Sequence, residues 1–420
     1  MYVYLSHTHF DLKILLPIMI LLFIAAVIPV ILSSLKIKMI PVLVVEIICG
    51  IVIGSFSSKE LFVIDGSLSP IMEGIYIIGM GVLLFLSGLD TDFSVLKKIQ
   101  KNENKIHINA LTNILLICVI LLSFGISFLF MKYMNNKTIG IILLTIIFSS
   151  TFASIVIPLI HEDNLHHTTI GKIISAYSSK SELLSIIALS ILMVVEGVLI
   201  ENSTYTWLLI AVIVILVLVY IFDKYLKLER FKKISGGIVH FSVRFTVAIL
   251  LGLMILCSMA GVEYILGSFL AGMVIKLAKT SKETIYKLET IGYGIFVPMF
   301  YILVGIKVGV NMTLVEIVKW ENLSLIMLLL FVLILVKIPF MYLLKWFKLS
   351  TVVQTTIFIA CTLIVAITAE EFGVFEEKFI NALIVASCFT CIISPIVFDI
   401  TKNYGFGKNE NDTRIVNPNK

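Results

Sequence analysis

The sequence predicts an all-α, polytopic membrane protein of about 13 transmembrane helices, and three observations carry that prediction. Of its 420 residues, 59% are apolar and 14% are charged, at a mean hydropathy of +1.09. A soluble domain carries about 45–50% apolar and about 25% charged residues. A chain this apolar cannot hide its surface in one aqueous core, which excludes soluble enzymes, nucleic-acid binders and disordered proteins. The net charge of +5 is no nucleic-acid signature, because the basic residues sit in short loops between apolar runs. Secondly, runs such as 15–31 and 208–219 do not alternate with polar residues, as barrel strands would, so the spanning element is the helix. Thirdly, stretches near the roughly 20 residues that a bilayer core requires recur along the whole chain.

The first span, 13–34, lacks a basic leader region and a clean small-residue cleavage site, and reads as a helix. It is followed by spans at 39–57, 70–89, 109–131, 139–160, 169–195, 205–222, 241–260, 263–278, 289–308, 323–344, 353–370 and 378–399. The remainder, 401–420, is a polar tail too short for a folded domain. With the N-terminus outside, 21 Lys and Arg fall in inside loops, six in outside loops and five within spans. The positive-inside bias therefore expects a cell-membrane protein with its N-terminus outside and its C-terminus cytoplasmic. The six cysteines lie almost entirely within the apolar runs, as small hydrophobes. Cys388 and Cys391 have redox-like spacing without the surrounding pattern such a site needs, and read as packing.

The two halves echo each other at a spacing of 217 residues. Glu46-Ile47-Ile48-Cys49-Gly50 matches Glu263-Tyr264-Ile265-Leu266-Gly267, Leu86 to Asp90 matches Leu303 to Lys307, and Thr151 meets Thr368. Seven spans separate each matched pair, so the copies lie inverted in the membrane: repeat one at 13–195, a linking helix at 205–222, and repeat two at 241–399. Inverted repeats are the architecture of many secondary transporters, whose sites lie near the midplane where broken helices meet. The matched candidates for broken helices are the fifth span, with Ser149, Ser150, Thr151, Ser154 and Pro158, and the twelfth, with Thr362, Thr368, Glu370 and Glu371. A lone hydroxyl in a membrane helix usually bonds back to its own carbonyls; a cluster repeated at the symmetry spacing points to a site.

A charge at the bilayer centre costs about 2.5–3.5 kcal/mol even on lenient scales, so each one requires a reason. Glu182 is the deepest carboxylate, on span six, and Lys337 the deepest cation, on span eleven. Facing each other they would offset much of that cost, either as a fixed pin or as an exchange site where Glu182 trades a proton for a cation. Lys180, two residues from Glu182, points to another helix face. Glu46 and Glu263 match by symmetry and read equally as structural or pathway-lining. Asp90 and Lys307 read as caps near the membrane surface, and Arg244 as a snorkelling side chain. The loop His161 to His167 fits no standard zinc spacing and reads as solvated. Asn202-Ser203-Thr204 and Asn311-Met312-Thr313 match the glycosylation pattern, which is common by chance.

Several segments resemble those of the monovalent cation:proton antiporters of the second superfamily. They are Val45 to Gly54, Leu84 to Phe93 (close to that family's "LFLxGLExD"), Ser150-Thr151 through Pro158 to Glu162, and Ile291 to Gly305 (similar to "IGYGFFxPxFFxxxG"). The last is the most specific, and the resemblance covers about residues 12–400. It implies the sodium/proton antiporter fold, with two inverted six-helix repeats and crossed broken helices. It also implies a homodimer whose core moves like an elevator against a dimerisation domain, and exchange of Na+ or K+ for H+. Family members carry an acidic pair ending in Asp on helix six; here those positions are Ser181 and Glu182.

The expectation is therefore a secondary antiporter, not an enzyme, needing no cofactor or resident metal. Its ion- and proton-binding set is Glu182, Ser181, Lys337, Thr151 and Ser150, with Glu46, Glu263, Lys180 and Thr368 along the pathway. One titrating carboxylate favours electroneutral, one-for-one exchange. The alternative is a non-transporting sensor or accessory protein that keeps the fold and has lost the second acid. An organic-anion symporter fits less well, because the deep group is acidic.

Overall fold

The computed structural model describes residues 12–34, 42–56, 62–64, 67–90, 108–134, 137–151, 169–200, 241–259, 264–277, 280–346 and 373–405, with isolated positions between 153 and 160. The seventh and twelfth expected spans, and with them Thr368, lie outside the described residues, as do Glu263 and the His161 to His167 loop.

In chain order the elements are α1 (Leu12–Ser34), α2 (Val42–Phe56), a two-stranded antiparallel ribbon of β1 (Val63–Ile64) and β2 (Ser67–Leu68), and α3 (Pro70–Asp90). Then come α4 (Ile108–Ser127) with a 3-10 extension (Phe128–Tyr133), α5 (Lys137–Ser149), α6 (Thr169–Ile200), α7 (Phe241–Met259) and α8 (Tyr264–Leu277). The amphipathic α9 (Lys282–Ile291) runs through a π-helical turn (Gly292–Phe296) into α10 (Val297–Asn311), followed by α11 (Leu314–Val318), α12 (Trp320–Trp346) and α13 (Glu377–Gly405). Among the described residues, six helical stretches are long and apolar enough to cross a membrane, and three apolar helices are shorter. One of the short ones is α5, whose 13 residues rise only about 20 Å, less than the ~30 Å of hydrocarbon.

The π-helical turn has a local cause. The Val297 amide donates to the Gly292 carbonyl five residues back, and Pro298, next in line, has no N–H to continue the ordinary ladder. Widened turns of this kind concentrate at functional places.

The helices form two packing groups. One joins α1, α2, α3, α7, α8, α9 and α10, with the most extensive packing between α2 and α10 and between α3 and α8. The other joins α4, α5, α6, α12 and α13, tied at one end by an aromatic cluster in which Phe130 packs on Phe148 and Phe379, each with ring centres 5.8 Å apart. Among the described residues, contacts between the groups are sparse, through α6 on α8 and through α13 on α2 and α10.

Glycine sets the crossings in the first group. A Cβ on Gly50 would strike the Ile302 carbonyl, and one on Gly305 would strike the Ile47 carbonyl. At the other crossing, Gly88 and Gly272 meet in the same way, backbone to backbone. Gly88 and Gly305 are 217 residues apart, so the repeat spacing carries one crossing glycine onto the other. Gly305→Leu is expected to force α2 from α10 and to exceed the ~1–3 kcal/mol of ordinary overpacking. Thermal unfolding in detergent checks this against Gly74→Leu, where nothing lies within 4 Å and no change is expected.

Candidate functional site

The site is built where α5 stops. Three hydroxyl residues in a row, Ser149 to Thr151, let side chains compete with the helical ladder. Ser149 Oγ donates to the Ile146 carbonyl (3.2 Å) and Ser150 Oγ to the Ile147 carbonyl (2.8 Å). The last helical residue is Ser149, inside the molecule, so carbonyls at its end lose intrahelical partners, while the Ser150 amide still donates to the Ile146 carbonyl (3.0 Å).

Charged side chains from two other helices take up those groups. Lys337 of α12, 3% exposed, donates to the Ser149 carbonyl (3.0 Å), the Ser150 carbonyl (2.7 Å) and Thr151 Oγ1 (3.1 Å). All three ammonium donors are thereby engaged, at the negative end of the α5 dipole. Glu182 of α6, 1% exposed, accepts from the Ala153 amide through Oε2 at 3.2 Å. Ser181 donates to the Ser149 carbonyl (3.0 Å). The two charges thus meet the broken backbone at its two polarities, ammonium on carbonyls and carboxylate on amide.

Of the residues singled out in the sequence, Glu182, Ser181, Lys337, Ser150 and Thr151 converge on this stretch. Lys180 points elsewhere: its Nζ lies 3.0 Å from both Thr112 Oγ1 and Asn113 Oδ1, joining α6 to α4. Glu46 is buried on α2, 3% exposed. Arg244 is exposed in the first turn of α7. Lys307 is half-buried on α10, with Nζ 5.7 Å from the centre of the Tyr76 ring, beside a cavity with room for about one water that Asn311 and Asn381 also line. Cys388 and Cys391 are buried free thiols.

One participant was missed in the sequence. Tyr177 comes up beside Thr151 and Ser181; its place one helical turn before Ser181, on the same face, was the available signal.

Comparison with known proteins places the chain in a family. Residues 20–401 match the family of sodium/hydrogen exchanger transmembrane regions. A Bacillus subtilis (strain 168) protein named for Na+/H+ antiport, YjbQ, is 30% identical over 395 residues, covering 91% of this chain and 62% of that protein. The chain therefore spans about three fifths of that relative's length. A Methanocaldococcus jannaschii protein named for the same activity is 26% identical over 373 residues, covering 85% of this chain and 89% of that protein. The solved structure of MjNhaP1, a sodium proton antiporter of Methanocaldococcus jannaschii, superposes with a TM-score of 0.58 at 17% identity, covering 93% of this chain and 97% of that one. That likeness is one of fold.

Proposed function

We propose that this chain, which belongs to the sodium/hydrogen exchanger family, exchanges an alkali cation for protons across a membrane, with Glu182 as the shared site. The observation that carries this reading is the convergence of a buried carboxylate and a buried ammonium on the broken end of α5. A carboxylate holds either a proton or a small cation, and competition between the two couples their fluxes with no covalent step. The surroundings suit a hard cation, which takes oxygen ligands. Ser181 and Ser150 each spend their hydrogen on a carbonyl, so what their hydroxyls present to an arriving cation is oxygen lone pairs. Thr151 Oγ1 and the Ser149 and Ser150 carbonyls complete the oxygen set, and Lys337 occupies them. A cation arriving at Glu182 competes with that ammonium for the same oxygens, so Lys337 is its rival as well as its counter-charge.

The two packing groups joined by sparse contacts, and the crossing glycines 217 residues apart, support alternating access by inverted repeats in which one group slides against the other. The N-terminus lies outside and the C-terminus in the cytoplasm, and the protein works as a homodimer. One shared carboxylate gives one cation per proton. Na+ is the ion in the relatives' names, and K+ is the alternative cargo.

The test is purified protein in liposomes loaded with a pH-sensitive dye. Added Na+ is expected to drive proton movement, and parallel additions of K+ and Li+ rank the cargo. Silence with all three would overturn the exchanger reading in favour of a non-transporting accessory protein.

A further inference from the structure

Lys180 carries a charge that the exchange site leaves unused. It stands on α6 immediately before Ser181 and Glu182, yet its ammonium turns to α4, 3.0 Å from both Thr112 Oγ1 and Asn113 Oδ1. Both partners are neutral, and among the described residues Lys180 forms no ion pair. A cation within a span ordinarily pairs with an acid or lines a cavity. A lysine that merely snorkels to water keeps its stem free; this one is tied by two hydrogen bonds, at a cost in rotamer freedom. A positive charge fixed in place, with no acid of the chain against it, points to an anion from outside the chain.

The groove around it has the two-part character of a lipid. Two of the three ammonium donors engage the α4 pair, and the third is left for a ligand. Asn113 is exposed and accepts from Lys180 through its oxygen; its two N–H donors meet no other described residue. Both α4 partners lie in the second turn of that helix, near its N-terminus. Further along the same faces the side chains are apolar and exposed. Ile117 and Leu121 follow Asn113 at four-residue steps on α4, and Leu184 and Ile191 follow Lys180 at four and seven on α6. The two helices pack together and, with one span between them, run in the same direction, so polar donors and apolar walls succeed each other as headgroup and acyl chains do. The sequence just before α4 carries Lys97, Lys98, Lys101 and Lys105, a pattern that meets an anionic leaflet.

We propose that the groove between α4 and α6 binds an anionic phospholipid, whose phosphate takes the Lys180 ammonium and the Asn113 carboxamide while its acyl chains lie along Ile117, Leu121 and Leu184. Phosphate oxygens accept from both donors at once, and the lipid's net charge balances the ammonium. Ser181 and Glu182 come next on α6, so a lipid seated here clamps the helix of the deep carboxylate to α4. The site stands whether or not Glu182 exchanges ions.

The experiment titrates phosphatidylglycerol into purified protein in detergent and follows the unfolding midpoint, with phosphatidylcholine of the same chains and inorganic phosphate as parallel probes. Phosphatidylglycerol is expected to raise the midpoint by several degrees, as a ligand of the native state does, and the other two to leave it nearly unchanged. Lys180→Gln is expected to raise the half-saturating phosphatidylglycerol concentration at least about fivefold, one lysine's share in holding an anionic surface; Lys180→Arg is expected to keep it. Asn113→Ala, at an exposed position, weakens binding in the same direction and reports on the site should Lys180→Gln fail to fold. Lys172→Gln alters an exposed lysine two turns earlier on the same helix and is expected to leave the titration unmoved. No rise with phosphatidylglycerol would overturn the site. So would a titration unmoved by Lys180→Gln, or moved equally by Lys172→Gln, since the effect would then be diffuse surface charge. An equal rise with inorganic phosphate or phosphatidylcholine would overturn the anionic lipid as the ligand.

Discussion

Glu182→Gln is expected to bring cation-driven proton flux to the level of empty liposomes while the protein remains folded. The substitution is nearly isosteric, and the amide oxygen of Gln can still accept from the Ala153 N–H, now held by the Glu182 carboxylate at 3.2 Å, so the fold is retained. The chemistry is not. A carboxamide neither takes up a proton in this range nor neutralises a cation, and both halves of the competition disappear together. Loss of one half alone would leave either a cation leak or a proton leak, so flux of each ion is measured without the other. Size-exclusion profile and thermal unfolding in detergent report the fold. Undiminished exchange by a folded Glu182→Gln protein would remove the site assignment outright.

The acid and its basic neighbour are legible in the sequence for one reason: ionised groups at membrane depth are costly enough that each must be explained. Glu182 and Lys337 stand out against long apolar runs without any structure. The helix break is legible too, because Ser149, Ser150 and Thr151 bring hydroxyls that compete with the ladder. The link between the two charges is not legible. It runs through the carbonyls of Ser149 and Ser150 and the amide of Ala153, and main-chain atoms leave no mark in a sequence. Lys180 shows the same limit from the other side. Its charge is visible, but its partners Thr112 and Asn113 lie 68 and 67 residues away, and only packing of α6 on α4 selects them.

The glycines fall between these cases. Gly50 and Gly305 each sit in a segment that carries the family resemblance, and spacing alone aligns Gly305 with Gly88. Nothing local says that Gly50 and Gly305 touch, since the contact depends on how α2 and α10 cross. The Pro298 signal was readable, because a proline just inside an apolar helix must disturb its hydrogen bonds; that the disturbance becomes a π-helical turn before α10 was not.

Lys337→Met is expected to damage stability and transport together. Methionine fills similar volume but offers nothing to the Ser149 and Ser150 carbonyls and Thr151 Oγ1, which Lys337 now meets at 2.7–3.1 Å. Removing one partner of a buried charged contact costs about 3–5 kcal/mol, because the carbonyls at the end of α5 lose their charged donor. The unfolding midpoint in detergent therefore falls by several degrees, and exchange falls with it because the end of α5 no longer holds its place. Lys337→Arg, always charged and richer in donors, should restore most of the midpoint. The double variant Glu182→Gln with Lys337→Met then says what the ammonium is for. If it chiefly balances the Glu182 charge, neutralising both relieves part of the loss and the two effects are non-additive. If it chiefly holds the broken backbone, the stability losses simply add, because removing the acid does nothing for the stranded carbonyls. The geometry favours the second outcome, since the ammonium makes three contacts with the end of α5. A strongly non-additive cycle would make counter-charge, not scaffold, the larger of the two roles of Lys337.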